Sequence, residues 1–386
     1  MSYEFLLYIA VILLFTKAFG LLAKKIKMPG VVGALIAGII IGPAALNFLH
    51  ETEFIHNLAE LGVIILMFTA GLEADVTELK KTGKASFIIA LLGVIIPLVG
   101  GFVVAEIFNS GSGTKILMEN IFIGVILTAT SVSITVETLK ELGKLSTRAG
   151  NTILGAALID DILGIIILTV VTSLSDSTVN IGMVLFKIVA FFVLAIILGI
   201  LFKKVFLKWI NKYNKDMRRF VIFGFVLCLL FSYGAEHFFG VADITGAFIA
   251  GLIMAGTDRT HYLNKRFETL SYMFLSPIFF ASIGLQIALG GMDFKIIVFT
   301  VVLLLVAILT KIVGCIIGAK LSKYTLKESI QIGAGMVSRG EVALIVANKG
   351  ISVGLVSSLM LAPIVIVVVI TTVIAPILLE LAFKEK

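Results

Sequence analysis

Charge is what this chain of 386 residues has least of: Asp, Glu, Lys and Arg together make up 14% of it, against 59% hydrophobic residues. Soluble domains carry about 25% charged residues. That shortage, with a mean hydropathy of +1.14, excludes a soluble globular protein and implies a polytopic membrane protein. Cysteine is almost absent too. Cys228 and Cys315 both fall inside apolar runs and read as small packing residues, silent on the redox compartment. The four histidines, His50, His56, His237 and His261, sit in loops or at span ends. No buried imidazole is therefore available for metal chemistry, although an exposed one could still sense pH.

Nucleic-acid binding is excluded despite a formal net charge of +7, because no zinc-finger spacing or aromatic-basic stripe accompanies the charge. The amino-terminal stretch "MSYEFLLYIAVILLFTKAFGLLAKKIKM" lacks a basic leader and a small-residue cleavage site, so it reads as a retained first span. No stretch outside the apolar runs is long enough for a soluble domain.

What is present is a series of thirteen apolar spans, approximately 4–22, 30–49, 57–73, 85–108, 116–139, 149–174, 180–203, 219–236, 241–256, 266–290, 294–319, 326–348 and 353–382. The third and ninth are short for a full crossing of about 20 residues. The expected fold is therefore an all-α polytopic membrane protein forming one transmembrane domain over residues 1–386. Of the 31 Lys and Arg, 24 follow odd-numbered spans. Only Lys115, Lys295 and Lys349 lie on the other side, and Lys17, Lys187, Lys311 and Arg339 lie within spans. The positive-inside rule then places the N-terminus outside and the C-terminus in the cytoplasm.

An internal repeat is visible. "GALIAGIIIG" from Gly33 resembles "GAFIAGLIMAG" from Gly246, and "FTAGLE" from Phe68 resembles "FASIGLQ" from Phe280; Gly33 to Gly246 and Gly71 to Gly284 are both 213 residues apart. Matching spans are seven apart, an odd number, so the halves have opposite orientations. Residues 1–174 form a first six-helix repeat, 175–218 a linker helix with a basic loop, and 219–386 a second, inverted repeat. Inverted repeats with a site near the midplane are a transporter architecture, although the small residues are explained as simply by close helix packing.

The sixth span contains the chemistry. In "GAALIDDILGIIIL", Asp160 and Asp161 sit mid-span, where one charge costs about 2.5–3.5 kcal/mol on the insertion scale. Successive helix positions point about 100° apart, so both carboxylates can share a cavity without acting as one ligand, and their protons leave in coupled steps. Such a pair holds protons, or releases them when a cation arrives. Lys311, mid-span in "VAILTKIVGCIIG", is the available counter-charge. Either it pairs with Asp160 and leaves Asp161 to the cation, or it only stabilises helix packing.

Four hydroxyls in the fifth span, Thr128, Thr130, Ser131 and Ser133 in "LTATSVSITVET", either bond back to the preceding turn or mark a helix break whose oxygens ligate a hard cation. The twelfth span offers a second break in "GAGMVSRGEVALI", where glycines precede Ser338, Arg339, Gly340 and Glu341. Arg339 and Glu341 read as support for that break, neutralising each other or the half-helix ends. Glu73, at the end of the third span, is either a solvated residue or a functional one. Asp243, opening the ninth, is most simply a helix cap.

Taken together, "TATS", "IDDILG", the span-eleven lysine and "GMVSRGEVALI" resemble the second family of monovalent cation:proton antiporters, and among them the sodium/proton–potassium antiporters linked to spore germination. The resemblance covers essentially the whole chain. It implies the sodium/proton antiporter fold with crossed, broken helices in spans five and twelve, a moving core of the elevator type, and a homodimer in the cell membrane. It also implies that the aspartate pair binds cation and protons, that the first aspartate can pair with the lysine, and that Thr130 and Ser131 contribute from the crossing. No enzyme activity and no cofactor are expected. The activity expected is exchange of Na+ (or K+ or Li+), held at Asp161, for H+, with an electrogenic stoichiometry suggested by the aspartate pair and Lys311. A K+/H+ exchanger or an uncoupled cation channel would use the same carboxylates. An intramembrane protease would need a second mid-span aspartate on an opposing wall, and the sequence has none.

Overall fold

The computed structural model describes residues 3–26, 28–109, 113–173, 180–212, 218–255, 259–286, 293–352 and 354–384, and these contain helices and no strands. The helices are α1 (Glu4–Lys25), α2 (Gly30–Ile41), α3 (Glu53–Glu73), α4 (Val76–Phe108), α5 (Thr114–Ile126), α6 (Val132–Glu141), α7 (Arg148–Ser173), α8 (Ile181–Lys212), α9 (Arg218–Phe239), α10 (Asp243–Met254), α11 (Thr260–Leu270), α12 (Ser276–Leu285), α13 (Phe294–Leu321), α14 (Leu326–Gly335), α15 (Glu341–Ser352) and α16 (Leu361–Phe383). A π-helical turn, Ser271–Leu275, joins α11 to α12.

Local chemistry explains many of the boundaries. Glu4 opens α1 and Lys24 and Lys25 close it, each charge opposing the helix dipole. Thr52 caps α3, Asp75 caps α4 and Asp293 caps α13. Thr325 and Glu328 form a capping box at the start of α14, satisfying N–H groups that the first turn cannot. Asp243 differs from its expected role: it is the first residue of α10 rather than the cap, which is Ala242.

Among the described residues, nine helical segments are long and apolar enough to cross a bilayer, while Gly30–Ile41, Asp243–Met254 and Val342–Ile351 are shorter. The expectation of a short third span is corrected: α3 begins at Glu53 and runs 21 residues. Its polar first turns, with His56 and Glu60, conceal that length from a hydropathy reading. The second span is the short one, because its helix stops after 12 residues at Gly42, followed by Pro43. The ninth remains short at 12 residues. Of the basic connector 203–219, residues 213–217 lie outside the described residues, as does Gly256 of the repeat motif.

Helix packing relies on backbone contact. A Cβ on Gly38 of α2 would collide with the Ala281 carbonyl of α12, and one on Gly251 of α10 with the Phe68 carbonyl of α3. Adding 213 to Gly38 and Phe68 yields Gly251 and Ala281, so the two contacts exchange partners under the same offset as the sequence motifs. Against α13, α4 packs in the same manner, with Gly318 facing Ile89 and Gly314 facing Leu92. Without water to drive association, such close approach supplies the attraction between membrane helices.

Candidate functional site

Two apolar spans are interrupted at their centres. Between α5 and α6 the helix is lost over residues 127–131, and between α14 and α15 over residues 336–340. The interruptions lie against each other. The Ser131 N–H donates to the Ser338 carbonyl at 2.8 Å, and the Ser338 hydroxyl donates to the Ser131 carbonyl at 2.8 Å. Thr135 donates to the Gly335 carbonyl at 2.7 Å and meets the Ser338 hydroxyl at 2.8 Å. Only glycine fits beside this contact at position 340, where a Cβ would lie 2.7 Å from the Ser131 Oγ. Each break exposes backbone groups that in a membrane must find partners within the protein, and the crossing supplies them mutually.

The helix ends at the crossing are met by buried cations. Lys311 of α13 is fully buried and donates to the Thr128 carbonyl at 2.7 Å and to Asp160 Oδ1 of α7 at 2.8 Å. Arg339 is 1% exposed; its guanidinium donates to the carbonyls of Leu127 at 2.7 Å, Ala307 at 3.1 Å and Val337 at 3.1 Å. Leu127 is the C-cap of α5, the negative end of a half-helix, so both cations oppose its dipole. Thr372 of α16 donates to the Arg339 carbonyl, holding the break from the other side. The side chain of Glu341 lies outside the described residues.

Asp160 and Asp161 are 2% and 6% exposed. The Thr130 hydroxyl lies beside the Asp160 carboxyl, yet neither Thr130 Oγ1 nor Asp160 Oδ2 has a hydrogen-bond partner among the described residues. Leaving a buried polar oxygen unsatisfied costs about 1–3 kcal/mol. Two such oxygens, one of them on a carboxylate, are hard donors at the crossing. Alkali cations prefer such oxygen ligands over nitrogen or sulfur. No group of three or more His, Cys, Asp or Glu among the described residues is arranged to chelate a metal.

The structure thus brings Asp160, Thr130 and Lys311 together, with Asp161 buried at the next position of α7. Ser131 sits differently: its hydroxyl meets Ser133 at 3.1 Å, and its backbone pairs with Ser338. Reading from sequence missed Thr135 and Thr372, single hydroxyls in ordinary helical runs that carry no local signal. It also missed the role of the Thr128 carbonyl, which a side-chain reading cannot see.

Comparisons with known proteins identify the family. The family model described as "Sodium/hydrogen exchanger, transmembrane" matches residues 10–385. The Na+/H+–K+ antiporter GerN of Bacillus cereus is 42% identical over 387 residues, covering 100% of this chain and 98% of that protein. A Na+/H+ antiporter of Enterococcus hirae is 36% identical, with 99% of both chains covered. Among solved structures, the sodium proton antiporter MjNhaP1 of Methanocaldococcus jannaschii superposes with a TM-score of 0.70 over 98% of this chain and 97% of its own, at 20% identity, a likeness of fold. On the family match and the full-length identity, this chain belongs to the transmembrane sodium/hydrogen exchangers.

Proposed function

We propose that this protein is a secondary antiporter that exchanges Na+, K+ or Li+ for H+ across the cell membrane. The observation that carries the reading is the buried group at the crossing, where Asp160 meets Lys311 and lies beside Thr130, with Asp161 buried next to it on α7. The relatives' names point the same way.

The mechanism is competition. The aspartate pair carries either protons or one dehydrated cation, never both, because two adjacent buried carboxylates cannot stay ionised without positive charge nearby. Asp161 supplies the principal charge for Na+, with Thr130 and the crossing around Ser131 adding oxygens. Lys311 neutralises Asp160 while the site is empty of protons. Only an occupied core moves between the two sides, an elevator displacement of the crossing against a fixed scaffold. Arg339 and Glu341 keep the broken helices intact during that movement.

The scaffold follows the duplicated architecture, with repeats over 1–174 and 219–386 joined by 175–218, assembled as a homodimer with the N-terminus outside and the C-terminus cytoplasmic. The experiment is proton flux in inverted vesicles, with wild type and Asp161→Asn compared by a pH-sensitive dye. Na+-dependent dequenching disappears in Asp161→Asn if the reading is right, and full exchange in that variant overturns it. Na+ movement that ignores an imposed pH gradient would identify an uncoupled channel instead.

A further inference from the structure

At the ends of α1, α3 and α6 that lead into the basic segments, a cavity of about 440 Å³ opens, lined by Glu73, Glu137, Glu141, Glu268 and Glu380 with Lys24 and Lys140. A neighbouring cleft of about 290 Å³ shares Lys24, Glu137, Glu141 and Tyr272 with it. Five carboxylates face two ammonium groups, and two of the carboxylates are already provided for. Glu73 has Lys140 at 3.4 Å and the Asn264 amide at 2.7 Å. Lys140 divides itself between Glu73 and the Thr69 hydroxyl at 3.0 Å. Glu141 accepts the Gly30 N–H at 2.7 Å, at the positive end of α2, with Lys24 nearby.

Glu137 has none of this. It is 9% exposed, more than nine-tenths buried, and it lines both cavities. Among the described residues it has no hydrogen bond and no ion pair; the charged groups around it are Lys140, Glu141, Glu73 and Glu268. It also sits in the last turns of α6, whose negative end disfavours a carboxylate. A buried, unpartnered acid in a negative cavity calls for a mobile positive charge.

We propose that this cavity is a second cation site, a staging site in which a partly hydrated Na+ or K+ rests against Glu137 before passing to Asp160 and Asp161. The proposal rests on the antiport reading for its role, but not for its existence. The lining lacks a chelating group of three acidic side chains, so the ion keeps much of its water and binds weakly. Its purpose is local concentration: basic residues follow α1, α3 and α6 in the sequence, and an acidic well with low-dielectric walls offsets their repulsion of cations.

The test uses the full-length protein in two assays. In the first, 23Na relaxation of the purified protein is followed after Asp160→Asn/Asp161→Asn has disabled the core site. Excess relaxation persists in that background and falls to the detergent blank when Glu137→Gln is added. In the second, proteoliposomes of known orientation give KM for Na+ at each face. Glu137→Gln raises KM at the basic face by about threefold or more, leaves KM at the opposite face within error, and lowers the saturating rate less than twofold. Glu137→Asp restores the basic-face KM, and Glu268→Gln, which removes a cavity charge elsewhere, raises it in the same sense. Residual relaxation unchanged by Glu137→Gln, or equal KM changes at both faces, overturns the proposal. An inactive protein that still shows Glu137-dependent relaxation would defeat the antiport reading and leave the cation site standing.

Discussion

Lys311 and Asp160 are 0% and 1% exposed at the side chain and 2.8 Å apart, and the energetics of such a pair are lopsided. Removing one partner of a buried ion pair costs about 3–5 kcal/mol, while replacing both with neutral groups is often close to neutral. Lys311→Gln alone is therefore expected to melt well below wild type in detergent, and Asp160→Asn/Lys311→Gln to recover most of the difference. A double variant no more stable than Lys311→Gln would show that Lys311 serves chiefly as the donor to the Thr128 carbonyl. Sequence made both residues conspicuous, since an aspartate pair and a lysine in long apolar runs are expensive. It left their partnership open, because positions 160 and 311 lie on helices whose approach no local pattern encodes. Arg339 illustrates the same limit. Sequence left open whether it would meet Glu341 or the half-helix ends, and its guanidinium reaches the carbonyls of Leu127, Ala307 and Val337.

For the elements, hydropathy located the apolar runs but misjudged where helices stop. Polar residues hid the first turns of α3, and only its Thr52 cap, whose hydroxyl accepts from the Ile55 N–H at 3.3 Å, marks the start. The glycines of α2 and α10 are set by contacts instead. Gly38→Ala and Gly251→Ala should each cost about 1–3 kcal/mol, the range for overpacking, since a methyl at either place strikes a carbonyl. Gly83→Ala is the control: it lies within α4 with nothing within 4 Å of an added Cβ, and should gain about 0.4–1 kcal/mol. Melting temperatures of the three variants check this. Equal behaviour at positions 38 and 83 would mean that the helices yield at the contact.

At the scale of the whole molecule, the question is how the exchange couples to the membrane potential. With two protons exchanged per Na+, one net charge crosses per cycle, worth about 2.3 kcal/mol per 100 mV. An imposed potential of about 100 mV should then shift the Na+ ratio at which flux reverses by roughly 50-fold. Reversal potentials in proteoliposomes clamped with a K+ ionophore measure it, and a ratio indifferent to potential would mean electroneutral exchange.

Composition and hydropathy by themselves determined that this chain lives in a bilayer, since the cost of transferring each residue from water is a local quantity summed along the chain. The acidic doublet, the duplicated glycine motifs and the family resemblance were legible for a related reason, being short strings of neighbouring residues. Only the tertiary structure decided which charge meets which oxygen. Lys311 reaches across to residues 128 and 160, Arg339 to 127 and 307, and Ser131 to 338. Glu137 is buried without a partner among the described residues, while Glu73 and Glu141 beside it found theirs. In a medium without water every polar group must be met by another part of the protein, and which part is fixed by how the helices cross.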